Sequence, residues 1–297
     1  MMSDKNSTPP VCSYESSDYQ DTFWEKGGRA YEDSVEAIAI KRLLPESGKL
    51  MLELGAGAGR NTLRYAAYER VVLVDFSRTQ LEQALARLGD NPRYVFVAAD
   101  VYRLPFTLGL FDGATMIRTL HHMADPTLAL RSIKMVLAQE AVFILEFANK
   151  RNLKSVIRYF LKKQTWNPFA PEAVEFAELN FDFHPKTVRE WLLETDFAID
   201  KQLTVSHFRM NFLKRYIPLK VLTAMDASLQ WTGAFVQYSP SVFTRAIMNG
   251  DAPKAKEGAF FQCPECWQDL PEEKKDLKCP KCARVWVYRD GIYDFRV

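Results

Sequence analysis

The nine residues LELGAGAGR at positions 52–60 decide how the first half of the chain folds. Their hydrophobic start predicts a strand, and Gly55, Gly57 and Gly59 follow it before a predicted helix at 60–68. Glycine lets the backbone adopt left-handed conformations and approach a ligand closely. A strand that runs into such a loop and then into a helix is typical of a nucleotide-binding site.

Alternating strands and helices continue from this loop. Strands are predicted at 49–54, 71–76, 93–99, 111–117, 141–147 and 199–205, and helices at 22–44, 79–88, 127–137 and 186–193. Short connections between alternating elements predict an α/β fold. We expect a Rossmann-like, doubly wound and mostly parallel sheet of seven strands.

Changes in composition divide the chain into regions. We expect a disordered tail rich in Ser and Pro at 1–18, a catalytic domain at 19–248, a polar linker at 249–258 and a small C-terminal module at 259–297. Residues 149–184 interrupt the rhythm of strands and helices, so they are expected to form a cap insertion within the catalytic domain.

Two ligands compete for the glycine loop: a dinucleotide and S-adenosylmethionine. The dinucleotide fingerprint requires a third glycine where this chain has Arg60, whereas G-x-G-x-G suits a ligand without a pyrophosphate. Asp75 ends the second strand and can accept both ribose hydroxyls, although NAD enzymes place an acid there too. Asp100 ends the third strand, where its carboxylate can accept the adenine amino group while the N–H of Val101 meets a ring nitrogen.

A third acid, Glu53, could orient the loop or the ammonium group of a methionine moiety. Any one of the three acids could instead only cap a helix or a turn. Three acids at successive strand ends, all on the crevice side of such a sheet, favour a binding site.

Four strings in the first half of the chain resemble one family. They lie within residues 23–147 and read LELGAGAGR, VLVDFS, AADVYRLPF and FDGATMIRTLHHMADP. Together they are similar to class I S-adenosylmethionine-dependent methyltransferases. The similarity is greatest to the type 11 branch, which includes the ubiquinone and menaquinone biosynthesis enzymes. The resemblance implies a methyltransferase with S-adenosylmethionine as cofactor and contacts at Gly55, Gly57, Asp75 and Asp100. The complete set of candidate cofactor-binding residues is Glu53, Gly55, Ala56, Gly57, Gly59, Asp75, Phe76, Asp100 and Val101.

Four histidines, His121, His122, His184 and His207, are predicted at the same edge of the sheet. Imidazole titrates near neutral pH, which suits a general base for an oxygen or nitrogen acceptor. Each of them taken alone is more commonly a hydrogen-bonded structural residue. His121 and His122 are the candidate catalytic residues, because their loop follows the fourth strand and lies nearest the expected position of the methyl group.

The methyl acceptor is less well defined by the sequence. Residues 149–163 carry six positive charges and no acid, with apolar residues on one face of a predicted helix. Such a helix could cover the active site, hold an anionic substrate or an RNA backbone, or lie on a membrane surface. We expect a small-molecule acceptor, with RNA or a protein as the alternative.

The C-terminal module contains four of the five cysteines as two C-P-x-C pairs: Cys263 with Cys266, and Cys279 with Cys282. Four thiolates on two tight knuckles can surround a Zn²⁺ ion tetrahedrally and leave no open position for catalysis. The module, including WVYRDGIYDF at 286–295, resembles the zinc ribbon of a small activator subunit that partners several tRNA and protein methyltransferases. That resemblance implies a fused accessory domain.

Composition and charge narrow the class of protein further. The chain is 47% hydrophobic, enough for a sizeable core, and its net charge of +2 argues for neither nucleic acid nor membrane. Residues 1–28 have no hydrophobic signal segment, and no run is apolar enough to span a membrane. Clustered cysteines in such a chain favour metal over disulfides. We therefore expect a cytoplasmic location.

Overall fold

The helices and strands are those of a computed structural model that describes residues 9–12, 15, 27–252 and 254–297. The helices are α1 Ala30–Leu43, α2 Arg78–Leu88, α3 Pro126–Val136, α4 Leu153–Phe160, α5 Pro185–Glu194, α6 Asn211–Tyr216 and α7 Leu219–Leu229. The strands are β1 Gly48–Leu54, β2 Tyr68–Asp75, β3 Tyr94–Ala98, β4 Phe111–Met116, β5 Leu137–Ala148, β6 Val174–Ala177, β7 Asn180–Asp182, β8 Phe197–Val205, β9 Ser241–Met248, β10 Phe261–Gln262, β11 Asp269–Leu270, β12 Leu277–Lys278, β13 Val285–Arg289 and β14 Ile292–Asp294. The tail predicted at 1–18 lies outside the described residues, apart from 9–12 and 15.

One large sheet organises these elements, in the order β12-β13-β14-β3-β2-β1-β4-β5-β9-β8. Neighbouring strands from β14 to β5 run parallel, whereas β9 is antiparallel to both β5 and β8. Helices α1 and α2 contribute to the hydrophobic core on one face, and α3 and α5 to the core on the other. The central strands are continuously apolar because both of their faces are covered. The predicted Rossmann-like α/β architecture is confirmed.

The sheet has ten strands rather than the predicted seven, because the C-terminal module adds β12, β13 and β14. Residues 292–294 of β14 pair in parallel with residues 96–98 of β3. An open sheet edge leaves backbone N–H and C=O groups free for such strand addition. The sequence pattern of the module showed its cysteines, but it carried no information about which strand the module would join.

Aromatic side chains pack the C-terminal module against the rest of the protein. Phe261 stacks on Phe106 with ring centroids 5.7 Å apart, and Phe295 contacts Phe261 at 4.9 Å. Trp286 packs on Phe295 at 5.3 Å. All four rings belong to the same hydrophobic core as the central strands. The module therefore shares its core with the central strands of the sheet, as expected for a segment too short to bury much apolar area by itself.

The glycine loop does not lead into the helix predicted at 60–68. Only a single 3-10 turn forms there, Thr62–Arg64, and Tyr68 already begins β2. The connection between β1 and β2 spans residues 55–67, and the glycine loop occupies its first part. This whole connection is only about as long as the shortest crossover between parallel strands, roughly a dozen residues, and the part left after the glycine loop forms one short turn. Helix α1 lies beside this turn instead, since Arg60 forms an ion pair with Glu36 of α1 at 2.9 Å.

The cap insertion at 149–184 contains α4 and the hairpin of β6 and β7. The helix predicted over 149–163 is shorter than expected. Its start is set by Asn152, whose side chain accepts a 3.0 Å hydrogen bond from the N–H of Ser155. Its end is followed by Lys162 in a left-handed conformation, with φ of 55°. None of the described helices combines the length and the apolar character needed to cross a bilayer.

Candidate active site

A cavity opens at the carboxyl ends of β1, β2 and β4. It is lined by residues 54–58, 74–76 and 117–119, together with His122 and Met123. Strand β1 lies between β2 and β4, so this is where the order of the strands reverses. Open α/β sheets bind ligands at such a point. The cavity is therefore the candidate active site on topological grounds.

The glycine loop brings backbone atoms to the wall of this cavity. The φ angle is 65° at Gly55, 53° at Gly57 and 70° at Gly59, a region that side chains disfavour. A Cβ atom at Gly55 would lie 2.1 Å from Oγ1 of Thr119, whereas one at Gly57 would meet only Gln80 at 3.7 Å. Gly55 is thus required by close packing as well as by conformation. Gly55, Ala56 and Gly57 line the cavity.

Asp75 joins the end of β2 to the glycine loop. Its carboxylate accepts hydrogen bonds from the backbone N–H groups of Gly57 and Ser77, each at 2.8 Å. Burial raises the pKa of Asp75 above its ordinary value, although these N–H groups act in the opposite direction. The carboxylate lines the cavity in a fixed orientation. It is therefore placed to accept hydrogen bonds from hydroxyl groups of a ligand.

Phe76, Asp100 and Val101 lie on the β3 side of the cavity. Phe76 and Val101 line it, whereas Asp100 lines an adjoining cleft together with Phe76 and Val11. Asp100 also caps the short turn that follows it, by accepting the N–H of Tyr102 at 2.9 Å. Burial raises the pKa of Asp100. Asp100 therefore does cap a turn, which was one of the two roles considered from the sequence. Its carboxylate lies next to the cavity rather than in its wall.

Glu53 lies behind the loop and is only 3% exposed. Its Oε2 accepts a 2.6 Å hydrogen bond from the hydroxyl of Thr62, in the turn after the glycines. Burial raises the pKa of Glu53 to about 7. Neither Glu53 nor Gly59 is among the residues that line the cavity. Their assignment to cofactor binding stays a prediction, and the geometry shows Glu53 supporting the turn.

Of the two candidate catalytic histidines, His122 lines the cavity. Its Nδ1 lies 3.0 Å from the carbonyl oxygen of Leu179 in the cap insertion. A carbonyl oxygen can only accept, so Nδ1 carries the hydrogen and Nε2 carries the lone pair of the neutral ring. Burial lowers the pKa of His122, which keeps the ring neutral at pH 7. A neutral imidazole with a basic Nε2 beside a ligand cavity can act as a general base.

His121 lies directly beside this ring, with centroids 4.0 Å apart. Its Nδ1 is buried and has no hydrogen-bond partner among the described residues. Burial lowers the pKa of His121 well below its usual value, and His122, Arg118 and Arg209 add to the effect. His121 is not among the residues that line the cavity, so one neutral imidazole, His122, lies in the cavity wall and the second packs against it.

Arg118 is a residue of the cavity that sequence reasoning missed. It follows β4 and has a φ of 56°, unusual for a residue with a side chain. Its guanidinium forms an ion pair with the buried Glu36, and its N–H donates to Glu146 at 2.8 Å. Although burial raises the pKa of Glu36, Arg118 and Arg60 hold it below its usual value. A charged residue directly after an apolar strand is the one sequence feature that marks this position.

The other two histidines are held in structural contacts. Oδ2 of the buried Asp226 accepts hydrogen bonds from Nδ1 of His207 at 2.9 Å and from the hydroxyl of Tyr31 at 2.6 Å. This carboxylate ties together α1, α7 and the end of β8. His184 caps α5 by accepting the N–H of Lys186 at 3.2 Å. Neither of these two histidines lines the cavity, and among the four only His122 does, with His121 packed against it.

The four cysteines of the C-terminal module converge on one point. All of their sulfur atoms lie within 4.8 Å of one another, with Cys263 and Cys282 at 3.6 Å and Cys266 and Cys279 at 3.4 Å. A tetrahedral zinc ion with bonds of about 2.3 Å holds its sulfur ligands roughly 3.8 Å apart. The donor set and its spacing therefore fit a structural zinc ion. The fifth cysteine, Cys12, lies at the active-site cavity.

Known proteins resemble this chain in sequence. Residues 52–145 match the family described as "Methyltransferase domain". A demethylmenaquinone methyltransferase of Chlamydia trachomatis is 31% identical over 178 residues, which cover 58% of this chain and 75% of that protein. A demethylmenaquinone methyltransferase of Clavibacter sepedonicus is 34% identical and the O-methyltransferase cnsE of Penicillium expansum 37% identical, each over 39% of this chain. The chain spans about half the length of these two relatives, 49% and 45%.

Solved structures share the fold at low sequence identity. A chain from the complex between the Haloferax volcanii Trm112 methyltransferase activator and a methyltransferase matches with a TM-score of 0.55 and 15% identity, over 78% of this chain and 96% of its own. An S-adenosylmethionine-dependent methyltransferase from Mesorhizobium loti matches with a TM-score of 0.50 and 17% identity, over 72% and 97%. At these identities the similarity establishes the architecture and nothing about the acceptor.

Proposed function

The chain belongs to the class I S-adenosylmethionine-dependent methyltransferases, and we propose that it transfers the methyl group of S-adenosylmethionine to a small-molecule acceptor. The observation that carries this proposal is a single cavity lined by the glycine loop, the Asp75 carboxylate and His122. The names of the relatives support a small acceptor, since demethylmenaquinone is one.

The residues that would hold the cofactor come from the loop and two strand ends. The backbone of residues 55–57 would lie against the methionine moiety, and Asp75 would accept the ribose hydroxyls. Phe76 and Val101 would flank the adenine, with Asp100 at its edge. When bound, S-adenosylmethionine supplies a methyl group on a positively charged sulfur.

His122 is the proposed general base. The hydrogen bond between its Nδ1–H and the carbonyl of Leu179 orients the ring, so that Nε2 can take the proton of an acceptor hydroxyl as that oxygen gains the methyl group. His121, whose Nδ1 is buried without a hydrogen bond to described residues, is the proposed second contact of the acceptor. The cap insertion contributes by holding the base, because Leu179 belongs to it.

The C-terminal cysteines are proposed to bind a structural Zn²⁺. Disulfide formation would remove the thiolates, so we propose that the protein works in a reducing, cytoplasmic compartment. We further propose that the zinc ribbon acts as a fused counterpart of the activator subunit that it resembles. The pairing of β14 with β3 supports this role, because it braces the strand whose end carries Asp100. The ribbon stabilises the site and takes no part in the chemistry.

The test is a methyl-transfer screen with S-adenosylmethionine that carries a tritiated methyl group. The wild type and Asp75→Ala are each incubated with the small-molecule, RNA and protein fractions of the source cell. Label that enters a small molecule with the wild type alone supports the proposal. Label confined to RNA or protein favours the alternative, a macromolecular substrate. Absence of transfer to every fraction, by a protein that binds S-adenosylhomocysteine, contradicts both.

A further inference from the structure

Helix α4 of the cap insertion turns its apolar face to solvent. Leu153, Ile157 and Phe160 are all exposed, Phe160 to 69%, and the buried residue of the helix is the small polar Ser155. An amphipathic helix of a globular domain normally packs its apolar stripe against the core. The exposed Phe169 extends the same surface, since its ring lies 6.1 Å from that of Phe160. The apolar face of α4 is therefore available for contact with something outside the domain.

A loop just before β9 continues this apolar surface. Phe235 in this loop is 87% exposed, the largest value among the exposed large apolar residues described. The N–H of Leu153 donates to the carbonyl of Tyr238 at 2.8 Å, and the guanidinium of Arg151 lies 5.2 Å from the centre of the Tyr238 ring. Helix and loop thus form one surface. We call residues 153–161, Phe169 and 235–238 the cap surface.

Helices α6 and α7, which lead into this loop, have the same character. Phe212 and Tyr216 of α6 are exposed, with ring centroids 5.2 Å apart. Val221 and Met225, one turn apart on α7, are exposed as well. Exposed apolar residues that adjoin one another, as those of α4 and Phe169 do, mark an interaction site more than scattered single residues do.

Positive charge accompanies these apolar residues, and the cap surface itself contains no acid. Residues 149–163 contain six Lys or Arg and no Asp or Glu, and Lys154 and Arg158 of α4 are exposed. Between 207 and 245 the one acid is Asp226, which is buried. The acids of the insertion lie further on, at 172–182, in and around the β6–β7 hairpin. The cap surface as defined contains Lys154 and Arg158 and no acid, and the nearby Glu172 and Asp182 act on Lys150 beside it.

We propose that the cap surface docks the protein onto an anionic lipid bilayer. Apolar side chains then enter the boundary of the acyl region while Lys and Arg stay at the level of the headgroups. RNA would use the cations but would leave Leu153 and Ile157 in water. A second copy would place like charges opposite each other. An anionic bilayer complements both properties of the surface at once.

Docking in this way places the active-site end of the sheet at the bilayer. The cap insertion that carries α4 also carries Leu179, which is hydrogen-bonded to His122 at the cavity. The proposal does not depend on the proposed methyl transfer, because lipid binding is measured directly and without substrate.

The experiment is co-sedimentation of the full chain with vesicles. The protein should bind vesicles of equimolar phosphatidylcholine and phosphatidylglycerol, should not bind pure phosphatidylcholine, and should be released by added salt. Two double variants should each lower the partition coefficient by at least about tenfold. One combines Phe160→Ser with Phe235→Ser, and the other combines Lys154→Glu with Arg158→Glu. Matched controls are Met135→Ser and Arg131→Glu, exposed residues of α3 outside the cap surface, which should bind as the wild type does.

All the substituted residues are exposed, so folding should be retained, and circular dichroism with a thermal melt checks this for every variant. Failure of the wild type to bind anionic vesicles overturns the proposal, as does equal binding by the cap variants and the α3 controls. Light scattering that shows a dimer dispersed by the double phenylalanine variant would assign the surface to a second copy. RNA that co-purifies with the wild type and is lost only in the Lys154→Glu, Arg158→Glu variant would assign the surface to RNA. Either of these two outcomes overturns lipid docking.

Discussion

The carboxylate of Asp75 accepts a 2.8 Å hydrogen bond from the backbone N–H of Gly57. This bond joins the end of β2 to the glycine loop that follows the neighbouring strand β1. Two candidate cofactor contacts are therefore coupled, since a shift of the acid would move the loop. The shape of the cavity depends on this link between one side chain and one backbone amide.

Replacement of the acid tests the cofactor assignment. Asp75→Ala should weaken the binding of S-adenosylhomocysteine by about 10- to 100-fold in calorimetry, because hydrogen bonds to a charged acceptor are worth about 1.5–3 kcal/mol. Asp90→Ala, at an exposed acid outside the cavity, should bind as the wild type does. Unchanged binding by Asp75→Ala would refute the assignment, and binding of NAD in place of S-adenosylhomocysteine would refute the cofactor.

The close approach at Gly55 can be separated from its backbone conformation. Gly55 and Gly28 have φ angles of 65° and 63°, but a Cβ atom at Gly28 would meet nothing within 4 Å. Alanine at either position costs roughly 1–2 kcal/mol of conformational strain. Gly55→Ala should lower the free energy of unfolding by about 1–3 kcal/mol more than Gly28→Ala, because it overlaps Thr119. Equal losses in urea denaturation would show that no close approach exists at Gly55.

The proposed base makes the reaction sensitive to acid. A base works in its neutral form, and burial holds the pKa of His122 below the usual 6.5. The value of kcat/KM should therefore be level at neutral pH and fall only below pH 6.5. His122→Gln should lower kcat by about 10²- to 10⁴-fold and change the acidic limb. His184→Gln, at the cap of α5, should keep that limb, and an unaltered limb in His122→Gln would exclude this residue as the base.

Burial of Glu53 should make stability depend on pH. Its pKa in the folded protein is about 7, against 4.5 for an unperturbed group, so the folded state binds more protons than the unfolded state between these values. Stability from this residue is present below pH 4.5 and is lost as the pH rises through 7. Glu53→Gln should remove that loss, with a gain relative to wild type of up to about 3 kcal/mol at pH 8. Denaturation curves give the free energy of unfolding at pH 5 and at pH 8. If this free energy changes by the same amount in the wild type and in Glu53→Gln, the prediction is wrong.

The shared core of sheet and ribbon predicts that the zinc site stabilises the whole chain. Cys279→Ser should lower the zinc content well below one ion per chain, because a structural site needs all four ligands. It should also lower the melting temperature by at least about 5 °C, since β14 would no longer brace β3. Cys12→Ser should keep its zinc. A separate early transition of the ribbon, with the main transition unmoved, would show that the two parts do not share a core.

The strands of the central sheet were predictable from local patterns. A strand covered on both faces must be continuously apolar, and VVLVDF at 71–76 meets this requirement in β2. The prediction of a helix at 60–68 was wrong. Apolar periodicity carries no information about the distance that the connection between β1 and β2 must span. The role of Arg118 could not be predicted either, since its partner Glu36 lies on a helix that precedes the whole sheet.

The sequence by itself determined the glycine loop, the acid at the end of β2 and the four cysteines, because each depends on residue types at short spacings along the chain. Only the tertiary structure decided that β14 would pair with β3, that Asp226 would hold His207 and that the apolar face of α4 would stay exposed. Such contacts join segments far apart in the chain. They form only because the packing of the whole sheet brings those segments together, which no local pattern records.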